Sequence, residues 1–170
     1  MKRAGVILKT VERCNINCTY CYYFNKADQS WRNRRPYISE EIIDKFNDFI
    51  SRGVNDLGIT DLLVEFHGGE PLMQKKHSFV QMCTKIHSKA QQLNLDSIQF
   101  VLQTNGILID TEWIKIFKEY GIGVGISLDG TKNLNDTYRL DKKGNGTYDR
   151  VVNKIRLCQE NDYEFGLLSV

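Results

Sequence analysis

The 170-residue sequence is most informative at first for what it lacks. It has only two prolines, no low-complexity tract, no internal repeat and no shift of composition that would mark a linker. One domain with an ordinary hydrophobic core follows from that length. No apolar run approaches the roughly 20 residues of a membrane span. The N-terminus is basic, but Lys9 and Glu12 break its apolar stretch and no small-residue cleavage site follows, which excludes a signal peptide pattern. A net charge of +2 excludes the strong one-sign field of a nucleic-acid or membrane-surface binder. The expected compartment is the reducing cytoplasm. Five cysteines, an odd number without a secretory signal, exclude a disulfide framework. Cys83 and Cys158 fall on apolar faces of helical patterns and read as small buried hydrophobes. The other three lie together.

What is present is an alternation of short apolar runs and helical patterns. Strands are predicted at 5–12, 62–66, 98–102, 123–128 and 165–170. Helices are predicted at 39–52, 76–93, from Thr111 to Gly121, and at 147–160. In the first helix Ser39 is the expected N-cap and Gly53 the expected end. Its expected apolar face is Ile42, Ile43, Phe46, Phe49 and Ile50. The order βαβαβαβαβ implies parallel strands joined by right-handed crossovers. In such folds ligands sit at the C-terminal ends of the strands. A chain that ends on a strand with no covering helix is expected to be part of a longer protein.

Chemistry gathers at those strand ends. After the first strand comes Cys14-Asn15-Ile16-Asn17-Cys18-Thr19-Tyr20-Cys21. Three thiolates in one compact loop suit a soft metal centre, and three are one short of a closed shell. An iron–sulfur cubane with one open iron and a zinc site completed by a distant residue such as His67 both fit this spacing. After the second strand comes His67-Gly68-Gly69-Glu70-Pro71, two glycines for close backbone approach and an acceptor for an ammonium group. After the third comes Gln103-Thr104-Asn105-Gly106. After the fourth come Ser127-Leu128-Asp129-Gly130 and Asn135-Asp136-Thr137-Tyr138-Arg139, where Arg139 offers a two-pronged partner for a carboxylate. Each motif alone also reads as an ordinary turn or a solvated charge. Together, over apolar strand bodies, they describe a ligand site at one end of a parallel sheet.

Cys14-x-x-x-Cys18-x-Tyr20-Cys21 resembles the cysteine signature of the radical S-adenosylmethionine (SAM) superfamily, and Gly68-Gly69-Glu70 resembles its GGE motif. Gln103-Thr104-Asn105-Gly106 and Ser127-Leu128-Asp129-Gly130 resemble the strand ends of one branch, the anaerobic sulfatase-maturating enzymes and SPASM-type peptide maturases. The resemblance implies an α/β fold, an incomplete (β/α)6 partial TIM-type barrel that stops after the fifth strand. Residues 1–170 would be the N-terminal part of a radical SAM core domain. It implies a [4Fe–4S] cluster on Cys14, Cys18 and Cys21, with SAM on the fourth iron. Glu70 with the Gly68-Gly69 backbone would hold the SAM amino end. Ser127 and Arg139 would meet its ribose or carboxylate, Tyr20 its adenine, and Gln103 and Asn105 would line the pocket floor.

The implied activity is reductive cleavage of SAM to methionine and a 5′-deoxyadenosyl radical, which takes hydrogen from a peptide or protein side chain. The implied partners are that substrate and a low-potential electron donor of flavodoxin or ferredoxin type, with no nucleic acid or membrane. Asn135 departs from the His that the branch often carries there. The sixth strand and the cysteines of auxiliary clusters are absent from the sequence. Two other readings stay open: action on a small molecule, and a non-catalytic zinc or iron–sulfur module.

Overall fold

A computed structural model describes residues 1–170. Five strands form one parallel sheet: β1 (Arg3–Val11), β2 (Asp61–Gly68), β3 (Ser97–Thr104), β4 (Gly123–Ser127) and β5 (Gly166–Leu168). Their spatial order is the sequence order, β1-β2-β3-β4-β5. The intervening helices are α1 (Glu40–Leu57), α2 (Lys76–Gln92), α3 (Thr111–Glu119), α4 (Lys132–Tyr138) and α5 (Tyr148–Glu160). Each crossover steps to the next strand in the same direction. With one handedness throughout, every long helix must then fall on the same face of the sheet. That is the geometry of an open α/β sheet curling as a partial barrel, as the sequence predicts.

The period-2 alternation of the strands records this one-sidedness. Leu62, Val64 and Phe66 of β2 are buried under the helices, while Leu63, Glu65 and His67 face the other way and are only half-buried. Phe66 is sealed from solvent and sits with its ring centroid 5.0 Å from Phe79 and 5.4 Å from Phe100. Asp61 ties the opposite end of β2 to its neighbour, accepting a hydrogen bond of 2.6 Å from Ser97 on β3. No helix is long and apolar enough to cross a membrane.

Three expectations are corrected. Helix α1 does not end at Gly53 but runs to Leu57, and Gly58 closes it at φ 64°. The missing side chain of Gly53 instead leaves room for Ile59, whose Cδ1 lies 2.9 Å from where a Cβ would stand. Of its expected apolar face, Ile43, Phe46 and Ile50 are buried, whereas Ile42 and Phe49 are about half exposed. The buried three are spaced i, i+3 and i+7, one narrow stripe, and the other two flank it. Helix α4, unforeseen in the sequence, fills the loop after β4 with about two turns of mostly polar residues.

The glycines after β2 serve the chain itself. Gly69 N donates to Val11 O (2.7 Å) and Glu70 N donates to Arg13 O (2.8 Å), so the β1–β2 pairing continues past both strands. A Cβ on Gly68 would stand 2.3 Å from Val11 O, and one on Gly69 would stand 2.1 Å from Arg13 O. Gly68 also holds φ 137°, which L side chains avoid.

Two substitutions test this architecture. Phe66→Ala should lower the unfolding free energy by about 3–5 kcal/mol in a denaturant titration, and a loss below about 1 kcal/mol would remove Phe66 from the core. Gly69→Ala should cost about 1–3 kcal/mol through overpacking and expose residues 14–35 to limited proteolysis. Unchanged cleavage would show that the loop does not depend on this junction.

Candidate cluster and cofactor site

The loop that follows β1 wraps tightly on itself. Cys21 N donates to Cys18 O, Asn25 N donates to Cys21 O, and Asn25 Nδ2 donates to Cys18 O at 2.8 Å. Its middle is clamped to the end of α4 and the segment after it, where Thr19 N donates to Tyr138 O (2.9 Å) and Asn17 N donates to Leu140 O (2.7 Å). The three thiols therefore face the C-terminal ends of the strands, and all three line one cavity of about 170 Å³. Gly68, Gly69, Gln103, Asn105, Ser127 and Arg139 line the same cavity, and Tyr20 closes it from the cysteine loop. No acidic side chain lines it, and Arg139 is its one fixed cation.

Glu70 is the exception among the expected residues. Instead of opening to the cavity, it is 1% exposed and committed behind it. Its Oε1 accepts from Leu72 N (3.0 Å) and Thr104 Oγ1 (2.7 Å), and its Oε2 accepts from Asn105 N (2.8 Å). Burial pushes the carboxyl up from its ordinary range, and the three hydrogen bonds oppose that rise. With both oxygens engaged by the chain, the side chain holds the β2 and β3 ends together, and from this turn Gly68 and Gly69, not Glu70, reach the cavity.

Asn105 carries that bracket to the cysteines. Its Nδ2 donates to Asn15 Oδ1 (2.7 Å) and lies 3.7 Å from Cys14 Sγ. Nδ2 of Asn15 is buried without any partner. Burial, then the neighbouring Glu70, pushes the Cys14 thiol up to about 12. Burial also raises the Cys18 thiol, against the pull of Arg139. Gln103 lies across Gly125, where a Cβ would meet its Oε1 at 2.4 Å, and donates to Ser127 Oγ at 2.8 Å. His67 also lines the cavity, and its Nδ1 is buried without a partner.

The far wall depends on Asp129, to which the sequence reading gave no role. Its Oδ2 accepts from Tyr20 Oη (2.6 Å) and from Arg139 Nε (2.9 Å), and both members of the ion pair are buried. Burial works against the Asp129 charge, but the hydrogen bonds from Tyr20 and Arg139 outweigh it and hold the carboxyl below its ordinary range. Burial and then the bond to Asp129 raise the Tyr20 phenol. Only Nε of Arg139 has a protein partner, so both terminal nitrogens remain for a ligand. Asn135, fully buried, accepts from Asp129 N (3.4 Å) and donates to Thr147 Oγ1 (3.3 Å). It does by hydrogen bonding what a turn residue at this position must do. The available signal was a carboxylate inside Ser127-Leu128-Asp129-Gly130 with a lone Arg ten residues on.

The donor set fits a cubane: three soft thiols on one cavity with no carboxylate beside them leave one position for an external ligand. The Asn105 amide donor beside Cys14 suits an electron-rich sulfur.

Comparison with known proteins agrees with this geometry. Residues 8–169 match the family model described as the radical SAM superfamily. The chain is 33% identical to a serine-type anaerobic sulfatase-maturating enzyme of Bacteroides thetaiotaomicron, over 92% of the chain and 36% of that relative. It is 30% identical to a cysteine-type anaerobic sulfatase-maturating enzyme of Clostridium novyi, over 100% of the chain and 44% of that relative. Among solved structures, anSMEcpe with bound AdoMet and Cp18Cys peptide superposes with a TM-score of 0.76 at 26% identity, covering 99% of this chain and 43% of the other. The chain thus spans less than half the length of each of these relatives. A cysteine loop matching the family's signature, a polar cavity at the strand ends and a family match across nearly all residues together make this chain a member of the radical SAM superfamily.

Proposed function

We propose that residues 1–170 are the N-terminal part of a radical SAM core domain that acts on a peptide or protein side chain. Cys14, Cys18 and Cys21 hold a [4Fe–4S] cluster, and SAM binds between that cluster and Arg139. Bound together, the two supply reductive cleavage of SAM to methionine and a 5′-deoxyadenosyl radical that takes hydrogen from substrate. The observation that carries this reading is the convergence of the three thiols and the Arg139 guanidinium on one cavity free of acidic side chains.

The residues of this chain have distinct tasks in that reading. Arg139 offers its terminal nitrogens to the SAM carboxylate, a bidentate pairing. The Gly68-Gly69 backbone accepts the amino group, and Glu70 keeps that backbone in place from behind. Ser127 and Gln103, already bonded to each other, present a preset polar edge to the ribose. Tyr20, with its phenol anchored on Asp129, gives the adenine a flat apolar wall. Asn105 directs an amide hydrogen at the Cys14 sulfur and stabilises its charge, and Asn15 holds that amide in place through its Oδ1. Loading displaces the protons that burial holds on Cys14 and Cys18. A peptide or protein substrate is the choice favoured by the sulfatase-maturating relatives and by the peptide in the superposed structure.

The full-length protein, reconstituted anaerobically with iron and sulfide and supplied with dithionite and SAM, should release 5′-deoxyadenosine. Cys14→Ala, Cys18→Ala or Cys21→Ala should each abolish both the cluster absorbance and that product. Stoichiometric zinc with no cluster spectrum would favour a binding module and refute the reading. Asp129→Asn weakens the charge that aligns Arg139. It should raise the KM for SAM by about tenfold, the value of one charge-assisted hydrogen bond, with cluster content intact. An unchanged KM would show that Arg139 does not need Asp129.

A further inference from the structure

Against the cysteine loop lies a second hollow of about 290 Å³. It shares Cys14, Ile16, Asn17 and Phe24 with the cavity, so only this one loop separates the two. The charged groups of its lining are Arg13, Arg32 and Lys142, with no carboxylate among them. Arg13 and Arg32 each stand 5.2 Å from the Trp31 ring. Arg13 bonds only backbone carbonyls, of Glu12 and Trp31, and Arg32 bonds only the amide oxygen of Gln29. None of the three cations has an ion-pair partner, unlike nearby Arg34, which Glu12 neutralises. Trp31 Nε1, which can only donate, is buried and has no partner at all. Unpaired cations on an aromatic platform make a receptor for carboxylates.

We propose that this hollow is the docking face for an acidic one-electron carrier protein. The inference rests on the cluster reading above, because that chemistry needs one electron from outside for each SAM cleaved. In the transfer the carrier is oxidised by one electron and the cluster reduced by one, with no bond made or broken. A carrier seated against Arg32 and Lys142 has only the cysteine loop between it and the thiols. The cavity side is the place of SAM and substrate, so the outer wall is the short route left open. Local positive charge on a chain of net charge +2 then selects an acidic partner without attracting anions generally.

The test uses the full-length, cluster-loaded protein with flavodoxin as the carrier and an Arg32→Glu/Lys142→Glu double variant. Flavodoxin affinity, measured by biolayer interferometry, and flavodoxin-driven cluster reduction should both fall by about tenfold or more. Dithionite-driven SAM cleavage should be unchanged. Unaltered flavodoxin binding overturns the proposal, and so does an equal loss with dithionite or a loss confined to peptide-substrate binding. In the unmodified protein, flavodoxin affinity should weaken by about tenfold as salt rises from about 50 to about 300 mM. A flat response overturns the proposal even if the double variant fails to take up iron. Failure of dithionite to support cleavage in the unmodified protein would instead refute the cluster reading itself.

Discussion

Taking a carboxylate out of water costs several kcal/mol unless donors replace the water, and Glu70 meets that cost with three of them. Those bonds join the turn after β2 to the end of β3. From there Asn105 reaches the cysteine loop through Asn15 and the Cys14 sulfur. The root of the same loop is laid against Gly68 and Gly69, where no side chain would fit. The position of the thiols therefore descends from one buried acid and two absent methyl groups. Here holding the strand ends takes both oxygens of the carboxylate, which stays buried behind the cavity.

A second bracket faces the first across the cavity. Asp129 joins Tyr20 of the cysteine loop to Arg139 after α4, and Asn135 fixes the turn that presents Asp129. The two brackets divide the labour of the site. One sets sulfur donors and backbone carbonyls at its near end, and the other sets a guanidinium at its far end. A ligand that carries an amino group, a carboxylate and an aromatic base matches that spacing of functions. The sheet face away from the helices is left half-open, with Glu65, Gln99 and Gln103 among its residues.

Much of this was legible in the sequence, for physical reasons. Apolar runs such as 62–66 and 98–102 are buried on one face by helices, and their periodicity shows it. Gly68, Gln103 and Ser127 stand at the last positions of their strands, the cysteines and Gly69 follow theirs closely, and Arg139 returns to the same end after α4, where a parallel sheet brings them together. The failures have reasons too. Gly53 reads as a helix end by type, but the αL position that ends α1 is Gly58, and type alone does not distinguish them. Ile42 and Phe49 are apolar residues that flank a stripe too narrow to cover them. Helix α4 is short and polar, so it leaves no period. The direction in which Glu70 points depends on Thr104 and on the backbone of Asn105, partners more than thirty residues away. Asp129 lies inside a motif, yet its role emerges only when Tyr20 and Arg139 arrive from two other segments.

The most direct measurement is electron paramagnetic resonance of the reduced full-length protein with and without SAM. A signal from a [4Fe–4S] cluster that changes on adding SAM, and that Cys14→Ala removes, is the expected result. A cluster signal indifferent to SAM, or none after reconstitution with iron and sulfide, would contradict a site built from three thiolates with SAM as the missing ligand.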